Sequence, residues 1–273
     1  MNYDERRSVP RLRTNVHQGE CLEIGRKTFD RLEPRTSRGF TLVGCSISEG
    51  NQYADSRRTR PVSNTLFVRH GTTTWNEAGR IQGWAPVGLS QRGHEEATAL
   101  AEHLAATRDV DVLVTSDLKR ARETAEAIAD ATGLPVLTDS RLRERDFGAF
   151  QGLDSGSFFT EYPAFDLLAS GQDAATATPE SGESWIDVRD RVLAVETELR
   201  DRDETVVAVS HGGPIRLVTG RYRGLDPVGA FTELDVDNCS ITEIGDSADP
   251  GGAGGAVVRS NVTSFLPSDS AHG

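Results

Sequence analysis

Three features of the sequence predict an α/β fold, a three-layer α/β/α sandwich with a mostly parallel central sheet. From Asn64 onward, short β-branched runs alternate with longer segments whose apolar residues recur every three or four positions. Strands that alternate with helices in this way build a parallel sheet covered on both faces. Two of the apolar runs also stop abruptly on Arg69-His70-Gly71 and Ser210-His211-Gly212-Gly213. Ligands in such folds bind beyond the carboxyl ends of strands, so those endings mark a grip.

The elements follow in order. Thr65–Val68 reads as the first strand. Ala97, Leu100, Ala101, Leu104 and Ala105 form the apolar stripe of a helix, and Val110–Thr115 the next strand. A second stripe, Ala121, Ala125, Ile128 and Ala129, precedes a short strand at Val136–Leu137. Trp185, Val188, Val192, Val195 and Leu199 mark a third helix before a strand at Thr205–Val209. Pro214 suits the first turn of the helix after it. Strands at Ser240–Ile244 and Val257–Val262 close the pattern, joined by the Gly-rich GDSADPGGAGGA. That segment lacks the strand–GxxxxGK[ST]–helix setting of a phosphate loop and is assigned no chemistry.

One catalytic-sized domain, residues 63–265, accounts for everything patterned. Residues 1–62 read as a poorly structured polar extension, apart from a possible short strand at Phe40–Val43, and 266–273 as a flexible tail. Residues 1–62 hold 12 Lys and Arg against 8 Asp and Glu; the rest hold 18 against 34. A body this acidic is a poor nucleic-acid binder. Only Lys27 and Lys119 are lysines, and an acidic, lysine-poor surface resembles that of salt-loving microbes, where salt screens self-repulsion. No run of about 18 apolar residues exists, so no membrane span is expected. The first residues lack the apolar core of a secretory signal. Cys21, Cys45 and Cys239 share no CxxC spacing, which argues against a zinc cluster or disulfide framework and for a reducing, cytoplasmic setting.

The candidate site collects what the strand ends carry. Arg69 and His70 follow the first strand, Arg120 sits in the first helical turn after the second, and His211 and Gly212 follow the fourth. Glu144 lies in the loop LRERDFGAFQG, with Asp146 as an alternative carboxylate. Arginine forks and helix N-termini at Arg120 and Gly212 suit a phosphate. A histidine among them can attack phosphorus, and the surrounding positive charge should keep it neutral. Two histidines and a carboxylate would also suit zinc, but arginines repel a divalent cation. No metal is expected. His94 and His103 lie on a helical segment away from the strand ends, and Arg122 reads as a surface helix residue.

VRHGTTTWN, GRIQG, SDLKRARETA, LRERDFGAFQG, PESGES and VVAVSHGGPIR stand in the order of the histidine phosphatase superfamily. Across about residues 64–244 the chain resembles that family, also called phosphoglycerate mutase-like. The resemblance implies a small phosphoester substrate, no metal and no organic cofactor. It implies that His70 becomes phosphohistidine, that Arg69, Arg120 and His211 complete the phosphate pocket, and that Asn76 touches the phosphoryl group. Glu144 matches the proton donor to the leaving oxygen. Relatives commonly carry Glu or Gln where Thr72 stands, and many carry Asp where Ala85 stands. Both positions are expected around the substrate.

Phosphomonoester hydrolysis is the expected reaction, with mutase-type transfer and a non-catalytic phospho-ligand binder as alternatives. In mutases of the family, an insertion after the loop equivalent to Phe147–Gly152 carries basic residues for a second phosphate. Here Leu153–Pro179 contains no Arg, Lys or His. Its Phe158, Phe159, Tyr162 and Phe165 suit either a lid over an apolar or weakly charged leaving group or a packed helical cap. The complete set of Arg69, His70, Arg120, Glu144 and His211 argues against a binder.

Overall fold

A computed structural model describes residues 64–246 and 255–267. The possible strand at Phe40–Val43, and the extension that contains it, lie outside these residues.

The chain runs β1 (Thr65–Arg69), α1 (Thr74–Glu77), α2 (Gln91–Thr107), β2 (Val112–Thr115), α3 (Lys119–Thr132) and β3 (Val136–Thr138). It continues through α4 (Ser155–Glu161), α5 (Leu167–Thr176), α6 (Trp185–Arg200), β4 (Val206–Ser210), α7 (Gly212–Arg223), α8 (Pro227–Glu233), β5 (Ile241–Gly245) and β6 (Ala256–Val262). The sheet order is β3-β2-β4-β1-β5-β6. Four strands, β3, β2, β4 and β1, are mutually parallel, whereas β5 runs antiparallel to β1 and β6 antiparallel to β5.

Alternation along the strands makes the two outer layers. Leu66, Val68, Val207 and Val209 face α2 and α3, packing on Ala97, Leu100, Leu104, Ala121, Ala125 and Ile128. Phe67, Val206 and Ala208 point the other way, onto Val188, Val192 and Val195 of α6 and Ile215 and Val218 of α7. The three apolar stripes are thus the buried helix faces, except that Ala105 is exposed. Serine caps start the longest helices: Ser90 Oγ accepts from Gly93 N–H, and Ser184 closes a capping box with Asp187.

Three strands begin later than their composition indicates, β2 at Val112, β4 at Val206 and β5 at Ile241. Thr205 C=O accepts the N–H groups of both Asp111 and Val112, and Asp111 Oδ2 accepts from Thr205 N–H. This local exchange replaces the ladder ahead of Val112. The fifth strand starts at Ile241 because the chain is still turning at Cys239, whose φ is +53°.

Leu153–Pro179 is a helical cap. Phe158 is buried and meets Phe147, Phe150, Phe159, Tyr162 and Phe165 with ring centroids 5.0–6.2 Å apart. Its aromatics pack on one another, as in a packed helical cap.

Candidate active site

Parallel pairing of β1 with β4 brings Arg69 beside Ser210, so the two strands end together. His70 N–H donates to Ser210 C=O at 3.0 Å, and the imidazoles of His70 and His211 lie 5.0 Å apart. His70 Nδ1 sits 2.8 Å from the Gly71 carbonyl oxygen. A carbonyl can only accept, so Nδ1 carries the proton and Nε2 carries the lone pair. Arg120 Nε donates to that Nε2 at 3.1 Å, which requires the same tautomer.

Arg120 is itself 1% exposed. Its other nitrogens donate to Gly83 C=O at 2.8 Å and Ala85 C=O at 3.4 Å, so the GRIQG turn holds the guanidinium in place. Arg69 donates from Nη1 to Val236 C=O at 2.6 Å. Burial brings the guanidinium of Arg120 down to about 10; burial, then Arg216, does the same for Arg69. Both remain cationic at neutral pH.

Glu144 reaches the site from the loop. Its Oε1 accepts from Arg145 N–H at 2.9 Å and its Oε2 from Gly213 N–H at 3.1 Å, in the first turn of α7. A methyl group at Gly213 would collide with Glu144 Oε1 and the Trp185 ring. Asp146, the alternative carboxylate, does not enter the site, because its Oδ1 caps Gly148 N–H at 2.8 Å.

These groups line one cavity of about 200 Å³. Arg69, His70, Arg120, Glu144 and Gly212 share its wall with Asn76, Arg80, Gln82 and Arg216. Ile81, Phe147, Trp185 and Phe231 give it an apolar side. Asn76 Oδ1 is committed to the cap of α1, accepting from Thr73 N–H and Oγ–H. His211 does not line the cavity. It is fully buried beside His70, with Nε2 2.8 Å from Ser116 Oγ and Nδ1 without a hydrogen-bond partner. Neither departure from the family pattern meets the cavity. Thr72 is turned toward α2, and Ala85 contributes through its carbonyl alone.

Arg216 is not singled out by the sequence reading. It stands four residues after Gly212 on α7, one helical turn, which carries its guanidinium back over that glycine. Its Nε is anchored on Leu234 C=O at 2.9 Å. Arg145, also unassigned, is wholly buried between Phe147 and Trp185, 4.9 and 5.0 Å from their ring centres. It donates to Glu183 and Ala177 C=O, which ties the PESGES loop to the segment bearing Glu144. His94 and His103 lie away from the cavity, and His103 stacks on Phe265 at 4.4 Å. Arg122 pairs with Glu126 on the helix surface. Among the described residues, no three His, Cys, Asp or Glu side chains converge as a metal site.

Burial holds His70 and His211 well below the ordinary histidine range, and Arg120 adds to the effect at both rings. The unfolded chain takes up these protons near pH 6.5 and the folded chain does not. Stability is therefore fully present above about pH 6.5 and falls as the pH drops below it, by up to about 1.4 kcal/mol per pH unit for each histidine. Urea unfolding between pH 7 and 5.5 should show a shallower loss in His70→Asn than in the wild type. An equal slope in the two proteins would contradict a neutral His70.

Known proteins resemble this chain in sequence and in fold. The family model described as histidine phosphatase superfamily (branch 1) matches residues 65–262. Glucosyl-3-phosphoglycerate phosphatase of Mycolicibacterium vanbaalenii is 38% identical over 173 residues, 60% of this chain and 76% of that protein. Phosphoserine phosphatase 1 of Hydrogenobacter thermophilus is 34% identical over 181 residues, 66% of this chain and 84% of that one. The native structure of a mycobacterial glucosyl-3-phosphoglycerate phosphatase superposes with a TM-score of 0.63 at 30% identity. The match covers 74% of this chain and 99% of that structure.

Proposed function

The chain belongs to the histidine phosphatase superfamily, and we propose that it hydrolyses a small phosphomonoester through a phosphohistidine on His70. The observation that carries this reading is the tautomer of His70. Nδ1 is tied to Gly71 C=O, and Nε2 presents its lone pair beside Arg120 in a cavity shared with Arg69 and Glu144.

Arg69 and Arg120 hold the phosphoryl oxygens. Arg120 Nε–H turns from Nε2 to a phosphoryl oxygen, and the freed Nε2 lone pair forms an N–P bond as the ester P–O bond breaks and its electron pair leaves with the alcohol oxygen. Glu144 gives that oxygen a proton. Glu144, now a carboxylate, takes a proton from water, whose oxygen attacks phosphorus. The N–P electrons return to Nε2 and inorganic phosphate departs. Buried guanidinium groups act strongly on the charge of the transferring group because the surroundings screen it poorly. Hydrolysis is preferred to mutase-type transfer because the cap Leu153–Pro179 carries no basic residue to hold a second phosphate.

We infer further that the substrate carries a carboxylate near its phosphoester. Arg216 extends the cationic wall beyond the pair beside His70. Two of the relatives act, by name, on glucosyl-3-phosphoglycerate and phosphoserine, both phosphorylated acids. Arg216→Ala should lower kcat/KM for phosphoserine and 3-phosphoglycerate about tenfold or more, the scale of one charge-assisted hydrogen bond. For p-nitrophenyl phosphate, which lacks a carboxylate, the loss should be about threefold or less. Equal losses would reassign Arg216 to the phosphoryl group.

The reaction itself is tested by phosphate release from a panel of phosphoesters in EDTA, at low and at molar salt, with 2-phosphoglycerate formation followed alongside. Release that survives EDTA is the expected result. Isomerisation without release would replace hydrolysis by a mutase. Silence at both salts would favour a binder.

A further inference from the structure

One peptide unit, joining Gly71 to Thr72, touches both the nucleophile and a buried carboxylate. Its C=O lies 2.8 Å from His70 Nδ1. Its N–H donates to Glu96 Oε2 at 2.9 Å. Glu96 stands on the inner face of α2 beside Ala97 and Leu100 and is 1% exposed. Its Oε1 accepts from Thr72 Oγ–H at 3.0 Å and Arg92 Nε–H at 2.9 Å. Arg92 thus forms an ion pair with this carboxylate, 2.9 Å from Oε1.

The loop is seated so that this peptide cannot rotate. Ser90 N–H and Oγ–H both donate to Thr72 C=O, at 2.9 and 3.2 Å, and Gly71 N–H donates to Thr124 Oγ at 3.1 Å. A methyl group on Gly71 would stand 2.6 Å from Gly93 C=O, and one on Gly93 would strike Thr72 C=O. Two glycines thus let the loop rest directly on the first turns of α2. A buried carboxylate is costly even when compensated, and this one is spent on the peptide beneath His70.

We propose that Glu96 is a positioning residue that acts on His70 through the Gly71–Thr72 peptide. A negative charge accepting from the N–H polarises the amide and makes its carbonyl oxygen a stronger acceptor, since linked hydrogen bonds reinforce one another. When Nε2 forms its bond to phosphorus and the ester oxygen leaves with its electron pair, the ring keeps the Nδ1 proton and becomes cationic. The strengthened Gly71 carbonyl stabilises that cation. In serine hydrolases a carboxylate contacts the histidine directly to the same end; here a peptide bond lies between.

This inference rests on His70 being the nucleophile, and its test separates the two. Glu96→Gln keeps the shape and, with its amide oxygen toward Thr72 N–H, that acceptor; it removes the charge and sets its NH₂ against Arg92 Nε–H and Thr72 Oγ. Its kcat/KM for p-nitrophenyl phosphate should fall on the order of tenfold, as when a charged hydrogen bond becomes neutral. In the free enzyme the His70 Nδ1–H proton resonance should move upfield, reporting a weaker bond to Gly71. If Glu96→Gln is too unstable to assay, Glu96→Asp draws the charge back from Thr72 N–H, and rate and resonance should fall together. A rate loss with an unmoved Nδ1–H signal would mean that Glu96 only supports the loop, and wild-type values of both would also overturn the proposal. Absence of an acid-labile, base-stable phosphoenzyme in the wild type would instead overturn the nucleophile itself.

Discussion

Replacing His70 by alanine is expected to abolish turnover, with a loss on the order of 10⁴-fold or more, as when the nucleophile of a covalent mechanism is removed. Without Nε2 no N–P bond can form, and the remaining arginines can only bind the phosphoryl group. The alternatives within reach are poor. His211 is buried beside the ring and engaged with Ser116; Cys239 is buried, and its thiol is pushed up by that burial. The substitution also leaves Arg120 Nε without its acceptor, so a folded variant must be demonstrated by its melting curve before the rate is read. His70→Gln can place an amide oxygen near the Nε2 position for Arg120 and should be equally inactive. A folded alanine variant within tenfold of wild-type kcat would end the phosphohistidine mechanism. So would label transferred from substrate to any other residue.

The parts of this site that were legible in the sequence share a cause. Arg69-His70 and His211-Gly212 stand at strand ends, where topology alone dictates that side chains meet, and Arg120 opens the helix after a neighbouring strand. Glu144 comes from a loop, where its place between the motifs offered it as the site's carboxylate and the family resemblance gave it the role of proton donor. Arg216 and Glu96 were hidden for a different reason. Each lies within a helix whose periodicity reports burial, and burial says nothing of what a polar side chain touches across the interface. Trp185 was read as the start of a core stripe, which it is, but the same ring also forms the apolar wall of the cavity beside Phe147 and Phe231. The aromatic segment had two readings, a lid or a packed cap, and the contacts of Phe158 with its own neighbours are those of the packed cap.

Glu144→Gln should separate the two chemical steps. The parameter kcat/KM reports events up to the first irreversible step, here transfer to His70, while kcat can also report release of the phosphoryl group to water. For an alkyl ester the leaving alkoxide needs a proton, and losing a general acid costs about 10²–10⁴-fold in kcat/KM. For p-nitrophenyl phosphate the leaving phenolate is stable without one, so kcat/KM should change by about tenfold or less. Both carboxylate oxygens of Glu144 accept backbone N–H groups, and a glutamine must set its NH₂ against one of them. That structural cost falls on both esters alike and cancels in their ratio. The second step still needs a base to take the proton of the attacking water. With p-nitrophenyl phosphate the variant should therefore release a burst of phenolate and accumulate phosphoenzyme. Equal losses in kcat/KM for the two esters, with no burst, would remove Glu144 from both roles.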